Sequence, residues 1–89
     1  MALKATLASF RIGAHLLIRD TGIEAAVTAH QLAIELFRLG QQPTVDRIVD
    51  PSEGSEYCGY RVLLIRDSDN LEPSYMLRKA AESLGLEVE

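Results

Sequence analysis

Few side chains in this chain of 89 residues have chemical reach. They are one thiol, Cys58, two imidazoles, His15 and His30, and two Arg–Asp pairs, Arg19-Asp20 and Arg66-Asp67. Cys58 and His15 form the one plausible nucleophile–base combination, since a thiol needs a neighbouring base to ionise it. An internal repeat, Leu-Leu-Ile-Arg-Asp at 16–20 and again at 63–67, sets His15 beside Val62, four residues from Cys58. At ~3.3 Å per strand residue the two groups are ~13 Å apart, beyond hydrogen-bond reach. A second copy of the chain is the remaining route to such a pair. Taken alone, Cys58 reads as a small, half-buried hydrophobe. One thiol completes neither an internal disulfide nor a metal-ligand set.

The arginines are more suggestive. Both pairs are expected to end adjacent central strands at one sheet edge, near two helix N-termini, where anions are favoured. Arg19 and Arg66 are therefore candidate ligands for a phosphate or carboxylate. The competing reading pairs each arginine with the aspartate beside it. His30 falls on an apolar helical stripe and reads as a packed, hydrogen-bonded residue. No metal or cofactor is expected. Asp67-Ser68-Asp69-Asn70 begins like a calcium loop, but Leu71, Glu72 and Arg78 occupy its fifth, sixth and twelfth positions. Asp50, Glu53 and Glu56 read as a solvated acidic loop. No phosphate-binding glycine loop, serine-nucleophile motif or paired-carboxylate signature is present.

These residues must be positioned by a small fold. The length allows one domain, 1–89, with a thin core. A hydrophobic fraction of 47% with 25% charged residues excludes collagen, coiled-coil and disordered classes. The net charge of −4 is uneven. Residues 1–40 carry Lys4, Arg11, Arg19 and Arg38 against Asp20, Glu24 and Glu35, and residues 41–89 hold the acidic excess. Such a balance disfavours non-specific phosphate-backbone binding. The N-terminus lacks a signal-peptide pattern, and the aliphatic runs Leu16–Ile18 and Val62–Ile65 are far short of a membrane span. Cytoplasmic residence is the expectation.

An internal repeat organises the chain. Leu16-Leu17-Ile18-Arg19-Asp20-Thr21 recurs as Leu63-Leu64-Ile65-Arg66-Asp67-Ser68. Before the first copy, Phe10, Ile12, Ala14, Leu16 and Ile18 keep the period of two that predicts a strand. Residues 1–9 fit either strand or helix. Thr21 and Glu24 fit a capping box. Ile23, Ala26, Val27, His30, Ala33, Ile34 and Phe37 then recur at helical spacing, with Leu32, Leu36 and Leu39 widening the stripe. Gly40 ends that helix, and Thr44–Val49 reads as a second strand. Tyr57–Arg66 is the third strand. Pro73 opens a second helix whose apolar face is Leu77, Ala80, Ala81 and Leu84. Gly85 ends it before a final segment, Leu86–Glu89.

The expected fold is therefore α+β: a ferredoxin-like βαββαβ two-layer sandwich, an antiparallel sheet with two helices on one face. The two repeated strands are its central pair, parallel and adjacent. The principal rival is an ααββα order with a helical N-terminus, against which Gly13 and the alternation argue.

Equating Leu16 with Leu63 puts Ile18 and Ile65 on the helix side. It leaves His15, Leu17, Cys58, Tyr60, Val62 and Leu64 on the open face. A helix-free sheet face is ordinarily polar, and a contiguous apolar one needs a cover. A two-fold pairing of copies is the simplest cover, because one patch serves twice. The expected function is a non-enzymatic interaction or oligomerisation module, a homodimer through that face that also binds a partner protein. One alternative is a regulatory domain binding a small ligand at the dimer interface or at the Arg19/Arg66 edge. The other is a small dimeric α+β-barrel-type enzyme using His15, Tyr60 and Cys58.

The segment Gly59-Tyr60-Arg61-Val62-Leu63 overlaps the ribonucleoprotein-1 consensus of RNA recognition motifs. Gly59, Tyr60 and Leu63 match, while Cys58 replaces the basic residue and Val62 and Ile65 replace aromatics. With one ring in place of two or three, and net negative charge, nucleic acid is not an expected partner.

Overall fold

The computed structural model describes residues 3–49, 57–66 and 72–89. The order is β1 (Lys4–Phe10), β2 (Gly13–Ile18), α1 (Ile23–Arg38), β3 (Thr44–Val49), β4 (Tyr57–Ile65), α2 (Pro73–Ser83) and β5 (Glu87–Val88). One mixed sheet runs β3-β4-β2-β1-β5. Three of its pairings are antiparallel, and β1 with β5 is parallel.

This corrects the ferredoxin-like expectation. The stretch before α1 is a hairpin, with β1 and β2 turning at Arg11-Ile12 and Phe10 opposite Gly13. Its turn carries none of the Asn-Gly or Asp-Gly signals that mark two-residue hairpins, and Ile12 continues the alternation across it while standing 60% exposed. The extra strand reverses the geometry of the repeat. β2 and β4 are adjacent, as the repeat requires, but they run antiparallel, with Leu16 opposite Val62 and His15 opposite Leu63.

Two glycines let β2 and β4 approach each other closely. A Cβ on Gly13 would sit 2.2 Å from the carbonyl oxygen of Leu64, and one on Gly59 would sit 2.1 Å from that of Ile18. At both ends of the pairing only a hydrogen fits against the facing backbone.

α1 is built from good helix formers, with no glycine or proline between Ile23 and Arg38. It starts differently from the capping-box expectation. Gly22 is the N-cap, with no side-chain cap bond, and Asp20 Oδ1 accepts from the Gly22 amide at 2.8 Å. The C-termini of both helices follow the glycine expectation. Gly40 and Gly85 have φ of +85° and +80°. The amide after each glycine reaches back six residues inclusive, Gln41 to Leu36 O and Leu86 to Ala81 O, both at 3.0 Å. These are Schellman closures.

The core lies between the sheet and the two helices. α1 contributes Ala25, Ala29, Leu32 and Leu36, and α2 contributes Met76, Leu77, Ala80 and Ala81. From the sheet come Leu16 and Ile18 of β2 with Tyr60, Val62 and Leu64 of β4. Among the described residues, no helix is long and apolar enough to cross a membrane.

Replacing Gly13 or Gly59 by alanine forces a methyl into backbone and is expected to cost about 3 kcal/mol. Urea unfolding of each variant reads this directly. A loss under about 0.5 kcal/mol, the scatter of an ordinary surface change, would contradict the close approach.

Candidate functional site

Antiparallel pairing sets the faces of the sheet. Ala14, Leu16 and Ile18 pair with Leu64, Val62 and Tyr60, and all six are buried. Tyr60, Val62 and Leu64 therefore lie beneath the helices, not on the open face where the repeat would place them. The two copies of the repeat are out of phase: the first buries Leu16 and Ile18, whereas the second buries Leu64 and leaves Ile65 48% exposed. A parity change of one residue exchanges every side chain between faces. Tyr60, the one ring of the ribonucleoprotein-1 overlap, is 7% exposed and offers no stacking platform.

His15 and Leu17 do lie on the open face, opposite Leu63 and Arg61 of β4. Cys58 belongs to β4, but its side chain lies outside the described residues. The backbone register sets it five residues from Leu63, the partner of His15, or ~16 Å along the strand. The open face is thus mixed in character. Leu17 and Leu63 are half-buried. The His15 ring meets Phe10 edge-on at 5.4 Å between centroids. Arg61 donates to Asp46 on β3 at 3.0 Å. His15, Leu17, Arg47, Ile48 and Arg61 line a shallow groove of about 380 Å³. Burial, and then the charge of Arg61, push the His15 imidazole below its ordinary value of 6.5.

The candidate anion pair is not assembled. With β2 and β4 antiparallel, Arg19 follows the end of β2 that pairs with Tyr60, and Arg66 follows the end of β4 that pairs with Gly13. They stand at opposite ends of the ladder. Arg66 instead grips Glu72, at the start of α2, through both guanidinium Nη atoms, one of the bonds measuring 2.8 Å. Hydrogen bonding holds the Glu72 carboxyl below its usual range and raises Arg66. Asp67, the calcium-like segment 67–70 and the acidic loop 50–56 lie outside the described residues. Among the described residues, no three His, Cys, Asp or Glu side chains gather to hold a metal.

The more apolar exposed surface is on α1. Its core face uses Ala25, Ala29, Leu32 and Leu36, while Ile23, Val27, Ile34 and Phe37 point outward, 85%, 49%, 54% and 71% exposed. His30 lies on this outer stripe rather than packed in the core. It is exposed, and its Nδ1–H donates to Ala26 O at 2.7 Å. The stripe read from the sequence as core-facing is therefore mostly the solvent face. The signal was present, because Leu32 and Leu36 already gave the helix more apolar width than one sheet contact covers. Beside this stripe, Ala33, Ile34, Phe37, Arg38, Gln42 and Pro43 line a groove of about 550 Å³.

Comparison of the chain with protein-family models, curated proteins and solved structures finds no match.

His15 gives the open face a pH signature. The unfolded chain takes up this proton near pH 6.5 and the folded chain only at lower pH. In that window the unfolded state binds more protons, so stability present above pH 6.5 is lost as pH falls. The thermal midpoint of the wild type should drop more between pH 7 and 5.5 than that of His15→Gln, by about a few degrees at most for so accessible a group. Parallel curves for the two proteins would contradict the assigned environment.

Proposed function

We propose that this chain is a small, non-enzymatic interaction module that self-associates and, as an assembly, presents a surface to a partner protein. One observation carries the reading: α1 is apolar on both sides. Its inner face is satisfied by the sheet, and its outer face leaves four large hydrophobic residues in water along a single helix. Scattered exposed hydrophobes are normal, but a contiguous stripe on a surface helix marks a contact site. The open sheet face is a second candidate surface, with fewer exposed large hydrophobic residues than α1. Having lost Tyr60, Val62 and Leu64 to the core, it offers Leu17, Leu63 and Ile65 among His15 and the Arg61–Asp46 pair, a mixed composition suited to a partly wetted contact.

Sedimentation across a concentration series should show a reversible dimer. Ile34→Lys should weaken it at least about tenfold, equivalent to ~1.4 kcal/mol, while leaving unfolding of the monomer within about 0.5 kcal/mol of wild type. A monomer at every concentration would overturn the proposal.

A further inference from the structure

Resting on the self-association reading, we infer that the occupant of the outer α1 face is α1 of a second copy, running antiparallel across a two-fold axis beside residue 32. The outer residues Ile23, Val27, His30, Ile34 and Phe37 are spaced four, three, four and three apart. That is the seam spacing of paired helices. α1 has 16 residues, giving a seam ~24 Å long.

The residues flanking the seam decide its direction. One edge carries Glu24, Gln31 and Arg38, and the other carries Ala26 and Ala33. Glu24 and Arg38 each lie seven residues from Gln31, on opposite sides of it. A two-fold axis in the plane of contact brings like edges together with their order reversed. Glu24 of each copy then faces Arg38 of the other, and Gln31 faces Gln31. On the alanine edge, Ala33 faces Ala33, and the small side chains let the helices approach. In the seam, Val27 packs against Phe37 and His30 against Ile34. A parallel pair would instead set the charged edge against the alanine edge and leave Glu24 and Arg38 without opposite charges.

The charges are available for this. Glu24 is exposed. Arg38 is 74% exposed, and its partner among the described residues is Glu35 of its own helix, at 3.8 Å. Each end also suits its helix dipole, with the acid in the first turn and the base in the last.

Charge reversal tests the arrangement. Glu24→Arg alone and Arg38→Glu alone each place like charges at both ends of the antiparallel pair, and each should weaken the dimer about tenfold or more at low salt. An equal mixture of the two variants restores both opposite-charge contacts and should re-form the dimer as a heterodimer. In a Cys58→Ser background, Ala33→Cys should cross-link to itself under mild oxidation and Ile23→Cys should not. Wild-type dimers indifferent to both reversals, or cross-linking through Ile23→Cys or through Leu63→Cys on the open sheet face, would overturn the antiparallel α1 pairing while leaving self-association intact. A wild-type monomer would remove the self-association reading itself.

Discussion

Antiparallel pairing of β2 with β4 governs this molecule. These strands lie side by side within the sheet, and their register assigns each side chain to the helix-covered or the open face. Since side chains alternate with a period of two, the register acts all or none. Leu16 opposite Val62 makes a covered pair, and His15 opposite Leu63 makes an open one. Gly13 and Gly59 help to hold that register, because each lies where a Cβ would strike the backbone of the facing strand.

The covered face in turn selects which side of α1 turns inward. β2 and β4 already supply Leu16, Ile18, Val62, Leu64 and the ring of Tyr60 to a thin layer. The helix that fits over them closely is the one presenting Ala25 and Ala29 with Leu32 and Leu36. Ile23, Ile34 and Phe37 of α1 are left outside. Burying a side chain of this kind is worth about 1.5–3 kcal/mol, which supports the proposal that a second surface covers them. The α2 helix shows the contrast: its buried residues form one stripe, and Tyr75 is its one strongly exposed large hydrophobe.

The parts of the fold legible in the sequence were those set by local chemistry. Thr44–Val49, the third-strand segment, Pro73 at the start of α2 and both glycine closures follow from propensity and cap geometry within a few residues. The parts that were not legible depend on pairing between distant segments. No turn signal separates Phe10 from Gly13, so a hairpin and a single long strand share one alternation pattern. The repeated Leu-Leu-Ile-Arg-Asp contains adjacent leucines that fit either parity, and only the partner strand decides which leucine is buried. The same ambiguity affected α1, where both stripes keep helical spacing and both are largely apolar, so packing against the sheet decides which turns inward. Of the residues expected on the open face, His15 and Leu17 are there because their parity was read from the first strand itself. Tyr60, Val62 and Leu64 are not, because theirs was carried over from the repeat.

Self-association through α1 requires the outer α1 residues to be covered when copies meet. Carbene footprinting of the wild-type chain, at low and then at high concentration, measures that directly residue by residue. With α1 paired, labelling of Ile34 and Phe37 falls as concentration rises, while labelling of Leu63 and of Tyr75 holds steady. Unchanged labelling along α1 at concentrations where the chain has associated, or protection confined to the open sheet face, would contradict that pairing.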